Sequence, residues 1–182
     1  MKFNNKFRSR FRLLKGGKVA LVISSISLGS TLSFSAPSGG VVTSGTANIV
    51  QSGHVTNINQ STQKASINWN KFSIASNETV NFNQPNKNSI TLNRIVGNEK
   101  SIINGALNAN GQVWLINSNG ILFGKYASIN TAGLLASVKN ISDANFNSGN
   151  YTFTGGSTES IINLGSIEIT NEGYVALVGK TV

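Results

Sequence analysis

The sequence predicts an all-β domain, a right-handed parallel β-helix closed at its N-terminal end by an antiparallel cap. Three observations predict it. After residue 40 no long window keeps a 3.6-residue apolar spacing, while β-branched residues are abundant and Ser, Thr, Asn and Gly are dense among them. A short pattern recurs: Leu107-Asn108-Ala109-Asn110-Gly111, Ile129-Asn130-Thr131-Ala132-Gly133 and Ile169-Thr170-Asn171-Glu172-Gly173 each place an aliphatic residue four positions before a glycine, with a strand-like run behind it. The glycines are 22 and 40 residues apart, which reads as one coil and then two. Finally, asparagine occurs 26 times, 24 of them from residue 36 onward. Asn tolerates left-handed corners, and stacked rungs align it into hydrogen-bonded ladders.

The chain opens differently. Seven of its fifteen Lys and Arg residues lie in the first 18 positions with no acid among them, and VALVISSISLGSTLSF follows from Val19 to Phe34. A basic start, an apolar run and then small residues is the layout of a secretory signal peptide for the Sec machinery. Cleavage between Ser35 and Ala36 puts Ser33 and Ser35 at the inspected positions and leaves residues 36–182 as the mature domain. The long basic region is compatible with an extended export signal. A membrane anchor is the alternative, but the stretch is short and Ser-rich for a spanning helix. Beyond residue 18 eight basic and six acidic residues leave a net +2, so the overall +9 is no nucleic-acid footprint. The chain has no cysteine, which permits passage across a second membrane without a disulfide loop to jam the pore.

Residues 40–81 alternate apolar and polar residues between short connections and are read as the antiparallel cap, with Ile67, Trp69, Phe72 and Ile74 as its apolar plug. An uncovered β-helix end leaves strand edges and interior open to aggregation. Strands are expected at Ala47–Val50, Ala65–Trp69, Thr79–Phe82, Ile90–Ile95, Val113–Ile116, Ile121–Phe123, Leu134–Val138, Tyr151–Phe153, Ser166–Ile169 and Tyr174–Val178. Asn57, Asn59, Asn81, Asn83, Asn117 and Asn119 are read as turn or pre-turn residues. Five or six coils about 4.8 Å apart give a rod about 25–30 Å long. In GQVWLINSNGILFG, residues 111–124, the Asn-Ser-Asn-Gly interruption between Ile116 and Ile121 is then a corner of one coil.

The runs INWNKFSIASNETVNFNQPNKNSITLNRIVG and INGALNANGQVWLINSNGILFGKYASINTAGLLASVKNI resemble the N-terminal secretion domain of filamentous haemagglutinin and related haemolysins and adhesins, the exported partners of two-partner secretion systems. APSGGVVTSGTANI, from Ala36, resembles the usual mature start. The resemblance implies a right-handed parallel β-helix with an N-terminal cap. It also implies recognition in the periplasm by an outer-membrane barrel of the Omp85 type, and release at the cell surface or into the medium. Two family motifs fall on this sequence. One, resembling Asn-Pro-Asn-Leu, lies loosely at Asn83, Gln84, Pro85 and Asn86. The other, usually Asn-Pro-Asn-Gly before Ile or Val, lies at Asn117, Ser118, Asn119, Gly120 and Ile121, with Ser118 in the place of proline. Both serve either as corners or as direct transporter contacts. Family members run on for many hundreds of residues, so the domain is expected to be cut short at its C-terminal end, the adhesin, haemolysin or toxin activity and any host-surface ligand lying downstream. A surface adhesin fragment that binds host glycan or protein directly is the alternative function.

No enzyme is expected. β-Helix lyases and hydrolases need clustered carboxylates, and Glu78, Glu99, Asp143, Glu159, Glu168 and Glu172 include no pair suited to a metal. His54, the one histidine, has no partner for a zinc site or a triad, so neither cofactor nor metal is implied. Trp69, Trp114 and Phe123 are read as core, Arg94 and Lys125 as solvent-facing, and Glu168 and Glu172 as a solvated face.

Overall fold

A computed structural model describes residues 36–170 and 172–182. Residues 1–35, where the signal peptide is expected, and Asn171 lie outside the described residues; Ala36 is the first of the described residues and is buried.

Among the described residues fifteen strands and one short helix follow in order: β1 Val41–Ser44, β2 Ala47–Ser52, β3 Val55–Gln60, β4 Lys64–Trp69, β5 Thr79–Asn83, β6 Ile90–Ile95, β7 Ser101–Ile103, β8 Ala106–Ala109, β9 Gln112–Ile116, β10 Ile121–Phe123, β11 Ser128–Thr131, β12 Gly133–Ser137, α1 Asp143–Ser148, β13 Ile161–Asn163, β14 Ser166–Ile169 and β15 Val175–Val178. They form three sheets. Sheet I has the order β1-β4-β6-β9-β12-β15, sheet II β14-β11-β8-β5-β3-β2, and sheet III β13-β10-β7. Each coil runs from sheet II through sheet I to sheet III, so β3–β4, β5–β7, β8–β10, β11–β13 and β14–β15 make five successive coils of a parallel β-helix.

Alternation within each strand sends every second side chain inward. Parallel register then stacks like on like: Val80 lies on Leu107, Leu107 on Ile129, and Ile129 on Ile167. The resulting core joins Ile58, Ile67, Trp69, Phe72, Phe82, Leu115, Phe123 and Leu134, each at most 1% exposed. All four expected plug residues are buried there, with Trp69 and Phe72 edge to face at 5.4 Å between centroids. The cap lies close on this plug. A Cβ on Gly40 would sit 2.6 Å from Cζ3 of Trp69.

Several boundaries differ from the sequence reading. Only β1 and β2 are antiparallel, pairing with β4 and β3; β3 and β4 already run parallel to β5 and β6 and belong to the first coil. β1, β3, β7, β8, β11 and β13 fall outside the expected strands: all but β3 have three or four residues, too few for clear alternation, and β3 carries Asn57 and Asn59, read as turn residues. Tyr151–Phe153 is not a strand. The 40-residue glycine gap is one coil and not two, since β12 pairs directly with β15, and residues 139–156 leave the coil as an excursion carrying α1. In that third copy the stacked aliphatic is Ile167, two positions before the expected Ile169. Asn57, Asn59, Asn81 and Asn83 lie within strands, where their ladder bonds outweigh their turn preference.

Candidate functional site

The second asparagine motif turns the chain from β9 into β10. The Gly120 N–H donates to the Asn117 carbonyl at 3.1 Å and closes a four-residue turn, and Gly120 has φ +94°, a conformation that a side chain strains. Asn117 is fully buried. Its Nδ2 donates to the Glu99 carbonyl at 2.9 Å and to Ser101 Oγ at 3.0 Å, and its Oδ1 accepts from the Asn119 N–H at 2.9 Å. Asn119 Nδ2 donates to the Gly97 carbonyl at 3.0 Å. On the following coil, Ser157 Oγ donates to the Ser118 carbonyl at 2.7 Å and the Ile121 N–H to the Ser160 carbonyl at 3.2 Å. The corner ties three layers together. Ile121 is buried between Ser101 and Ile161 in sheet III.

Ser118 is the exposed residue of this motif. It borders a groove of about 320 Å³ with Arg94, Val96, Gly97, Ile116 and Asn140. Val96 is 60% exposed, and Lys100 and Lys139 are exposed on the same run of corners. This edge presents hydroxyl, aliphatic and cationic groups to solvent.

The first motif turns β5 into β6, at the opposite end of the sheet I strands. Gln84 is buried and does the work. Its Nε2 donates to the Ser89 carbonyl, Thr91 Oγ1 and the Gln112 carbonyl at 3.0–3.1 Å, and its Oε1 accepts from the Gly111 N–H at 3.0 Å. Asn83 bonds Asn59 at 2.8 Å, Asn86 Oδ1 accepts from the Asn88 N–H, and Pro85 is exposed. The structure does not bring the two motifs together. β6, six residues long, separates their corners by about 20 Å at about 3.3 Å per residue.

A third feature runs along the outer face of sheet II. Asn81 donates to Asn57 at 3.0 Å, Asn108 to Asn81 at 3.1 Å and Asn130 to Asn108 at 3.3 Å, a carboxamide ladder that ends beside Glu168. Shallow grooves of about 260 and 210 Å³ flank it.

The remaining candidate residues sort plainly. His54 is exposed at the turn between β2 and β3. Glu168 is exposed, and Glu172 pairs with Lys87 at 2.8 Å in water. Among the described residues no three His, Cys, Asp or Glu groups converge on a metal-sized site. Lys125 is exposed as expected, stacked over Tyr126. Arg94 is not solvent-facing: its guanidinium is 12% exposed and pairs with Asp143 at 2.9 Å, because the excursion folds over it. Trp114 is buried, yet on the outside of sheet I beneath that excursion, where its Nε1–H donates to Tyr174 Oη at 2.6 Å. Tyr174 in turn donates to Gln112 at 2.8 Å, and burial pushes its phenol up from the ordinary value. The anchors Glu99, Ser101 and Gly97 carried no sequence signal, being backbone or small groups one coil away. The excursion did carry one, in the departure of the 40-residue gap from 22.

A family model described as the TPS secretion domain matches residues 33–182. Two curated relatives from Haemophilus influenzae, each named heme/hemopexin-binding protein, are 43% identical over 97 residues and 38% identical over 144 residues. These alignments cover 53% and 79% of this chain but 10% and 15% of the relatives, so the chain corresponds to a small part of their length. The crystal structure of the HMW1 secretion domain from Haemophilus influenzae is similar at TM-score 0.74 and 42% identity, covering 78% of this chain and 39% of that one.

Proposed function

Because the chain belongs to the TPS secretion domain family, the targeting module of two-partner exoproteins, we propose that an outer-membrane barrel of the Omp85 type recognises it in the periplasm and passes its exoprotein to the cell surface or the medium. The observation that carries this is the family match across residues 33–182, the entire stretch that follows the basic and apolar leader. The architecture suits such passage. Each coil pairs with its neighbours, so coils close in succession as chain emerges, and folding outside biases motion outward without nucleotide hydrolysis. The chain acts by binding and has no catalytic step.

On this reading Asn117, Asn119, Gly120 and Gln84 hold corners, while Ser118 and the exposed Asn83, Pro85 and Asn86 are what a transporter meets. Export of residues 1–182 from a two-membrane bacterium, with and without the cognate barrel, tests it. Release into the medium without the barrel would sink the proposal.

A second reading, direct adhesion, is favoured by the Asn57, Asn81, Asn108 and Asn130 row. Each ladder amide keeps hydrogen-bonding capacity free at rung spacing, chemistry suited to an uncharged glycan. Saturable glycan binding by the purified chain, lost in Asn108→Ala, is its test. The heme/hemopexin binding in the relatives' name is not carried to these residues. The match covers 10% and 15% of those proteins, and His54 stands alone and exposed.

A further inference from the structure

The outer face of a solenoid sheet ordinarily meets water, yet the outer face of sheet I carries Ile90, Leu92, Trp114, Ile116 and Leu135, none more than 7% exposed. Residues 139–156 cover it. Phe146 and Ile141 complete the apolar cluster, and the rings of Phe146, Tyr151 and Phe153 lie 5.5, 4.7 and 5.8 Å from that of Trp114.

This covering segment has little structure of its own. α1 is six residues long, capped by Ser142 and by Gly149 at φ +81°, and a helix that short does not stand alone in water. From Lys139 to Ser160 only Ile141 and Phe146 are buried. Its internal tie is the pair of backbone bonds between Asn140 and Thr154, 2.7 Å each.

The other fastenings reach far back along the rod. Arg94 donates to Asn140 Oδ1, the Ile141 carbonyl and Asp143 Oδ1 at 2.7–2.9 Å. Lys64 Nζ donates to the Phe146 and Asn147 carbonyls at 2.8 and 3.2 Å, where the helix end favours a cation, and lies 5.1 Å from the Tyr151 ring. Cap strand β1 joins through Thr43 to Asp143 and Ser44 to Asn147. The segment therefore leaves the fourth coil, runs over the third, second and first to the cap, and returns. The ladder β4-β6-β9-β12-β15 beneath is complete in backbone pairing without it.

We propose that residues 139–156 form a releasable strap that opens as one unit while the β-helix stays folded, baring an apolar patch centred on Trp114. Val138, in the interior core and bonded to the Val178 carbonyl, and residues 157–160, bonded to the Ser118–Ile121 corner and to Lys180, stay with the coil as its two anchors. Two cations, a handful of polar bonds, buried Ile141 and Phe146 and the rings of Tyr151 and Phe153 hold it, against continuous ladders and a filled interior below. Closing it joins the cap to the fourth coil, a coupling that stacked nearest neighbours lack. Opening at lower free energy than the sheet it covers makes it a separate unit of local unfolding.

Hydrogen exchange of the folded full chain tests this. Amides of Asn140, Phe146 and Thr154 are expected to exchange roughly 100-fold faster than those of β9 and β12. Arg94→Ala and Lys64→Met are expected to speed the strap amides further, leave β9 and β12 unchanged, and make Trp114 quenchable by acrylamide while Trp69 stays protected. Equal protection of strap and sheet in the parent chain overturns the proposal. So does acceleration of β9 and β12 in step with the strap in both variants, since residues 139–156 would then be a permanent wall of the fold.

Discussion

The side-chain amide of Asn117 donates at 2.9 Å to the backbone carbonyl of Glu99, eighteen positions earlier, from a site with no solvent exposure. That bond runs between coils where the chain leaves sheet I for sheet III, at the turn from β9 to β10. It makes the asparagine a tie between layers, and it separates what the corner needs to fold from what it shows to a partner.

Asn117→Ala removes the bonds to Glu99 and Ser101 and leaves the buried Ser101 hydroxyl and the Glu99 carbonyl without that donor. The expected loss of stability is about 2–4 kcal/mol. Asn119→Ala, which gives up the bond to the Gly97 carbonyl from a half-buried position, is expected to cost about 1 kcal/mol. Urea denaturation of the two variants checks the order, and export that falls in the same order assigns the motif to folding.

Ser118 occupies the second position of the turn, where proline's fixed φ suits the common turn types. Ser118→Pro is expected to stabilise the domain by about 0.5–1 kcal/mol through the unfolded chain. A rise in thermal midpoint with an unchanged denaturant slope is the result that supports it. A fall shows that this turn departs from that geometry.

Gly120→Ala forces a side chain into φ +94°, with its Cβ 3.1 Å from both the Ser160 carbonyl oxygen and Lys100 Cε. We expect a loss of about 1–3 kcal/mol, the cost of a residue held in a sparsely populated conformation. Gly53→Ala is the control, since φ +54° applies there too but no atom lies within 4 Å of the added Cβ. The difference between the two, read from urea midpoints, isolates the contact from the backbone strain.

Tyr174 carries a pH dependence. Burial raises its phenol above the ordinary 10.0, opposed by the hydrogen bond from Trp114 and helped by Tyr151. With the folded value raised, the neutral phenol's contribution is fully present below the unfolded value and is lost as pH rises through the folded one. Stability is therefore expected to fall from about pH 10 upward, near the unperturbed phenol value. Tyr174→Phe is expected to flatten that fall and to cost about 1–2 kcal/mol near neutrality by orphaning the Trp114 N–H. Urea midpoints taken from pH 7 to pH 11 on both proteins read out each effect.

Strands such as β5, β6 and β9 are long enough for alternation to show in one copy, whereas β3, six residues long, escapes the sequence reading because its Asn57 and Asn59 read as turn residues. β7, β10 and β13 have three residues each and hold together because β10 pairs in register with β7 on one side and β13 on the other. β10 was legible only because a turn motif precedes it. Gln84 was placed in a motif for its neighbours' sake, and the structure makes it the buried centre of its corner through bonds to Thr91, Gly111 and Gln112, partners 7 to 28 residues away.

The sequence by itself determined the all-β class, the β-helix, the buried plug of Ile67, Trp69, Phe72 and Ile74, and the asparagine ladders, because these rest on composition and on short periods repeated along the chain. Tertiary structure alone decided that 40 residues make one coil and not two. It also decided that Arg94 and Trp114 lie under a strap, and that the two motifs face apart. Those outcomes depend on which layer lies against which. Alternation says that a side chain leaves the strand, and only the packed neighbour says whether it meets water.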